Sequence, residues 1–118
     1  MERDLVERCI AALDGVDGAV AAARVTDTLK EADSDGRVLR TLDRSVLWAV
    51  QTPQVFRADA LRAALDADES VLAAATDDAS LVEAAGGAIA LVEAPRENIK
   101  VTTELDLRVA EAMLEARC

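Results

Sequence analysis

Apolar positions fall into alternating helical and extended stretches along the chain. Leu5, Cys9 and Leu13 recur on one helical face, with Val6 and Ile10 beside it, which predicts a helix over 2–14. Gly15 and Gly18 then permit a turn. Ala-Val-Ala-Ala-Ala-Arg-Val over 19–25 reads as one apolar run, suited to a buried parallel strand. The pattern turns polar over 26–30, meets the turn signal Asp33-Ser34-Asp35-Gly36 and returns through Val38, Leu39 and Leu42. Residues 26–45 therefore read as a hairpin projecting from the domain. Val46–Val50 is a second strand-like run. Pro53 has no N–H and restricts Thr52 to extended geometry, so this strand is expected to stop there and present Thr52 and Gln54 at its carboxyl end. In α/β sheets that end is where ligands bind.

A helix is predicted over 57–67, with Ala60, Leu61, Ala64 and Leu65 as its stripe. The acidic stretch 66–70 reads as loop, and the Ala-rich 71–75 takes no assignment. Asp77 suits a helix N-cap, with Asp78 favourable in the first turn; that helix reaches Ala85 and stops at Gly86-Gly87. Ala88–Glu93 reads as a strand, Pro95-Arg96-Glu97 as a turn and Ile99-Lys100-Val101 as a short strand. Thr103 with Asp106 resembles a capping box opening a last helix, whose stripe is Leu105, Val109, Met113 and Ala116. Helices alternating with short apolar strands give an α/β fold class.

Composition narrows the function classes. At 118 residues this is one domain or part of one, and much of its 52% hydrophobic content is Ala. A formal charge of -10 argues against nucleic acid as a partner, because that affinity needs clustered Lys and Arg. No apolar run approaches the roughly 20 residues of a membrane span. Asp4, Glu7 and Arg8 interrupt the first stretch, which does not read as a signal peptide. Histidine is absent, which excludes His-based triads and His metal sites within these residues. Cys9 and Cys118 have no metal or redox spacing, and two free thiols fit a cytoplasmic protein. Cys9 reads as a small buried apolar residue.

Several blocks together carry a resemblance. Asp43-Arg44, Leu47-Trp48 and Gln51-Thr52-Pro53-Gln54 are similar to motifs of 2-C-methyl-D-erythritol 4-phosphate cytidylyltransferases. Thr26-Asp27-Thr28-Leu29-Lys30 resembles that family's arm motif, and Thr76-Asp77-Asp78-Ala79-Ser80 its helix-start motif. Asn98-Ile99-Lys100-Val101-Thr102, then Glu104-Leu105-Asp106-Leu107, resembles its last strand and helix. The resemblance implies part of a Rossmann-like nucleotidyltransferase sheet flanked by helices, with 26–45 as a dimerisation arm. It covers roughly the second half of the enzyme. The family's Gly-rich CTP loop and magnesium-binding aspartate are not among these residues; Gly86-Gly87 is the only glycine pair. The run 19–25 would then sit beside strands outside this chain.

The resemblance implies four contacts to the phosphate of methylerythritol phosphate: Thr28, Arg44, Thr52 and Lys100. Two cations and two hydroxyls can neutralise and orient a phosphomonoester. Thr28 and Arg44 would reach the partner subunit's site, while Thr52 and Lys100 serve their own. Each residue also has a plainer reading. Lys100 suits a solvated edge strand, Arg44 a surface ion pair with Asp43, and Thr52 a structural role before proline. Glu97 stands where the family often has an acidic residue, and Asp77-Asp78 read as caps rather than a metal pair. The implied activity is transfer of CMP from CTP, with magnesium, in a cytoplasmic homodimer of the non-mevalonate isoprenoid pathway. The alternatives are a ribitol 5-phosphate cytidylyltransferase, or a non-catalytic dimerisation or ligand-binding remnant. Neither nucleic acid nor membrane is expected as a partner.

Overall fold

Ala19 to Ala23 find the burial their small apolar side chains call for. In the computed structural model, which describes residues 3–99 and 101–117, they lie in β1 (Gly18–Arg24), buried along its length except at Arg24. β1 is the middle strand of a three-stranded sheet, between β4 (Trp48–Phe56) and β5 (Ile89–Glu93). It pairs antiparallel with β4 and parallel with β5. Two expectations are corrected here. The run is not flanked by parallel strands alone, and it does not wait for strands outside the chain: both its edges carry strands of this chain.

Helices cover both faces. Helix α1 (Arg3–Ala11) sets Leu5 and Cys9 against Ala19, Ala21 and Ala94, with Val55, Ala90 and Val92 around them. Burial raises the Cys9 thiol pKa, only partly opposed by the neighbouring Arg8 charge, and keeps it protonated. One residue further along β4, and one earlier on β5, the side chain turns to the opposite face. There Phe56 and Ile89 pack on Ala64 of α2 (Ala58–Leu65) and on Leu81 and Val82 of α4 (Asp78–Ala84). Gly18 lies under both side chains; a Cβ there would come within 2.6 Å of the Phe56 ring and 2.8 Å of Ile89. Ile10, expected beside the apolar face of α1, is instead 55% exposed.

After α1 the chain turns through 12–17, and that turn is held from a distance. Arg57 donates from Nε to the carbonyl of Val16 (2.8 Å), from Nη2 to that of Leu13 (2.7 Å) and from its backbone N–H to that of Asp17 (2.9 Å).

The hairpin is present as a separate two-stranded sheet, β2 (Lys30–Ala32) with β3 (Val38–Thr41). Asp33 shapes its tip: its carboxylate accepts from the backbone N–H of Asp35 and of Arg37, both at 2.9 Å. Gly36 completes the turn at φ +81°, where a side chain is disfavoured. Arg40 and Glu31 pair across the strands.

β4 differs from its expected form at both ends. Arg44–Val46 is a 3-10 turn, so the strand begins at Trp48. It does not stop at Pro53. Val20 faces Gln54 and Ala22 faces Val50, so Gln51, Thr52 and Pro53 together oppose Ala21. The missing proline N–H falls within this bulge, where no ladder bond is required of it, and the strand resumes to Phe56. The Thr52–Pro53 peptide is cis.

Helix α3 (Glu69–Ala74) takes in most of the unassigned stretch and also Glu69 and Ser70, which were expected to be loop. Asp77 caps α4 as expected, in a reciprocal box with Ser80. Ile99 and Val101 are in no strand, and Lys100 lies outside the described residues. The last helix, α5 (Glu104–Arg117), opens on the expected box: Asp106 accepts from the Thr103 N–H (3.0 Å), and the Thr103 hydroxyl accepts from the Asp106 N–H (3.1 Å). Its predicted stripe is not buried. Leu105 is 69% and Val109 41% exposed.

Candidate functional site

The bulge in β4 shapes the site, because it turns Thr52 and Gln54 toward the start of α4. Thr52, Gln54, Thr76, Asp77 and Asp78 line a cleft of about 330 Å³. Both oxygens of Asp77 are engaged there: one accepts from the Ser80 N–H (2.8 Å), the other from Gln54 Nε2 (3.1 Å). It caps α4 and holds Gln54 at once. Thr52 and Thr76 both line the cleft, and a threonine hydroxyl is suited to a phosphate or sugar oxygen.

Behind Thr52 lies a small amide network. Asn98 Nδ2 donates to the carbonyl of Thr52 (2.6 Å) and to Gln51 Oε1 (3.1 Å). Gln51 Nε2 donates to the carbonyl of Pro95 (3.3 Å), which also accepts from the Asn98 backbone N–H (3.0 Å). Gln51 is buried, the only polar or charged residue so placed among those described.

Thr28 and Arg44 stand apart from this cleft, exposed at the base of the hairpin. Arg44 Nη1 donates to the carbonyl of Thr26 (2.7 Å). The surface ion pair with Asp43 is not made. Asp43 instead accepts from the hydroxyl (2.6 Å) and the N–H (3.0 Å) of Ser45, and these bonds, the hydroxyl's foremost, hold its carboxyl below the usual range. Arg44's remaining donors point to no partner among the described residues. A second cleft of about 320 Å³, lined by Arg24, Thr26, Asp27, Gln51 and Arg96, lies next to the hairpin base. Arg24 stacks over Trp48, 4.4 Å from the ring centroid. Glu97 is exposed and lines a smaller hollow against Met113 and Leu114.

Of the four expected phosphate contacts, then, Thr52 lies in a cleft, Thr28 and Arg44 lie at the hairpin base, and Lys100 falls outside the described residues. Sequence reasoning missed Thr76, Gln51 and Asn98. All three stand in the quoted motifs without a site role; the pairing of Thr76 with Thr52 across 24 positions is set by the fold.

Comparison with known proteins places this arrangement. The family model described as 2-C-methyl-D-erythritol 4-phosphate cytidylyltransferase matches residues 1–116. The chain belongs to that family. A cytidylyltransferase of this name from Rubrobacter xylanophilus is 55% identical over 114 residues, 96% of this chain and 49% of that one. One from Parasynechococcus marenigrum is 47% identical over 116 residues, 98% and 51% of the two chains. The crystal structure of the Thermus thermophilus cytidylyltransferase superimposes with a TM-score of 0.80 at 36% identity, over 98% of this chain and 56% of that chain. That of the Francisella tularensis enzyme does so with a TM-score of 0.80 at 30% identity, over 94% and 52%. The chain thus spans about half the length of the cytidylyltransferases it matches. The α/β fold class, with a projecting hairpin, is that of these cytidylyltransferases. The ribitol alternative gains nothing from the family model or from these relatives, all of which carry the erythritol name.

Proposed function

We propose that these residues form the acceptor-binding half of an enzyme that transfers CMP from CTP to 2-C-methyl-D-erythritol 4-phosphate. An oxygen of the acceptor phosphate attacks the α-phosphorus of CTP in line, the bond to the β-phosphate oxygen breaks, and pyrophosphate leaves. Such a transfer needs positioning and charge neutralisation rather than a covalent nucleophile. The observation that carries this reading is the family match across residues 1–116, with Thr52 standing in a hydroxyl-lined cleft.

The roles follow from the resemblance. Thr52 and Lys100 hold the acceptor phosphate from one subunit; Thr28 and Arg44 complete it from the arm of the second. A two-fold homodimer explains why the last two lie away from the Thr52 cleft, and the exposed Val38 and Leu39 of the hairpin, at 59% and 58%, give that arm apolar surface to cover. Magnesium would neutralise phosphate charge when bound. Among the described residues no three acidic, Cys or His side chains converge as a metal set. We assign its aspartate, and the CTP loop, to the part of the family fold outside these residues. A cytoplasmic setting is supported by the buried free thiol of Cys9. No helix among the described residues is long and apolar enough to cross a membrane.

Complementation tests the reading. The 118-residue chain alone should release no pyrophosphate from CTP and methylerythritol phosphate. Mixed with the part of the Rubrobacter relative that this chain does not cover, it should turn over, and Thr52→Val should cut the rate at least tenfold, as loss of a transition-state contact does. Turnover by the chain alone, or indifference to Thr52→Val, would overturn it.

A further inference from the structure

Gln54 joins the two walls of the Thr52 cleft. It is the first residue after the β4 bulge, back in register opposite Val20. Its Nε2 donates to the carbonyl of Gln51, across the bulge (3.3 Å), and to Oδ2 of Asp77 (3.1 Å). The first bond spans the backbone that carries Thr52. The second reaches the residue that follows Thr76. Asp77 then holds the first turn of α4, because its Oδ1 accepts from the Ser80 N–H (2.8 Å). One amide thus links the bulge to the start of α4, and Thr52 and Thr76 both line the cleft at that junction.

The chain between the two walls gives this junction little support. Gln54 and Asp77 are 23 positions apart, with α2 and α3 between them. Helix α3, the last element before Thr76, buries none of its residues. Packing of Leu81 and Val82 fixes the body of α4, but Thr76 precedes that helix and is exposed. A side-chain bond must therefore set where Thr76 stands relative to Thr52. Asp77 also lines the cleft as a carboxylate, and its charge opposes a phosphate there. What it contributes to binding an anion is then geometric. We infer that Gln54 and Asp77 are positioning residues, a brace that fixes the spacing of Thr52 and Thr76 so that both can meet one acceptor group. This inference rests on the acceptor-binding reading above. It assigns neither Gln54 nor Asp77 a contact with the ligand.

The test titrates the 118-residue chain with 2-C-methyl-D-erythritol 4-phosphate, followed by amide resonances. Gln54→Leu keeps most of the bulk and removes both bonds. It should weaken binding about tenfold, the size of one hydrogen bond to a charged group. Asp77→Asn is the sharper variant. Asparagine caps a helix as well as aspartate does, so α4 should keep its start. The substitution also removes a negative charge from the cleft wall, and on charge alone it would tighten phosphate binding. Loss of the acceptor for Gln54 should instead weaken binding about threefold, one bond less the relief of charge. Unchanged or tighter binding would overturn the inference. A double-mutant cycle separates positioning from general loosening. In a Thr76→Val background, Gln54→Leu should cost little further, because spacing needs two hydroxyls. An undiminished tenfold loss there would mean that Gln54 acts by another route, and the brace would be wrong. Thr52→Val keeps the two levels apart. If the unaltered chain does not bind, or Thr52→Val leaves binding as it was, the acceptor-binding reading has failed. If Thr52→Val weakens binding while Gln54→Leu and Asp77→Asn do not, only the positioning role has.

Discussion

β1 and α5 are both rich in apolar residues, and they end in opposite situations. In β1 every residue from Gly18 to Ala23 is buried, mostly with side chains no larger than a methyl. In α5 the larger Leu105, Leu107, Val109 and Leu114 are 69%, 49%, 41% and 61% exposed. Apolar character therefore does not settle burial within this chain; position between two faces does. β1 has a strand on each side and helices above and below. α5 is shaped by local devices: the Thr103–Asp106 box and an Arg108–Glu104 pair one turn apart at 3.4 Å. Local signals suffice to make a helix, whereas only distant segments can bury one.

The sharpest break in this contrast should come at Val20, 1% exposed in the sheet centre. Val20→Asp places an unpaired charge there and should abolish cooperative unfolding by circular dichroism. A folded variant would mean that the sheet is not the stabilising core. Asp77→Ala should have the next largest effect. It removes the α4 cap and the partner of Gln54, and about 1–2 kcal/mol of stability should be lost in urea titration. A loss near zero would show that α4 is held by packing alone.

Asp106 should give a smaller effect, visible in acid. Its carboxylate accepts from the N–H groups of Thr103 and Thr102 and from the Thr103 side chain, and these bonds lower its pKa. A group lowered in the folded state stabilises above its unfolded value and loses that contribution as pH falls through the folded one. Stability should therefore decline as pH falls below the ordinary carboxylate range, and Asp106→Asn should flatten that decline by bringing neutral-pH stability down toward the acid value. An identical acid slope in both proteins would remove Asp106 from the account. Smallest of all should be Leu105→Ser, within about 0.5 kcal/mol in urea titration as for other exposed sites. A larger loss would mean that α5 is covered in solution, and the contrast with β1 would collapse.

What could be read from the residues alone follows the same division. The hairpin tip, the Asp77 cap and the Thr103–Asp106 box depend on partners at most four positions away, and they were legible. The continuation of β4 past Pro53 was not, because a proline is tolerated only if the opposing strand allows a bulge, and that strand lies thirty residues earlier. Helix α3 was hidden by its Ala-rich, weakly patterned sequence. The stripe of α5 was legible as a pattern and wrong as a statement of burial. At the site, Thr52 could be picked out from its motif. Thr76 and Asn98 also stand in quoted motifs, but their place beside it was not legible, since 24 and 46 positions separate them from it.

The grip of Arg57 on the turn after α1 reaches further than the site. Its bonds to Val16 and Leu13 span 41 and 44 positions. The shape of residues 13–17 is thus specified by a residue made much later on the ribosome. Until that arginine has left the exit tunnel, the turn lacks its donors. Translation time between the two codons becomes a minimum waiting period before this turn gains its donors, at about 5–20 residues per second.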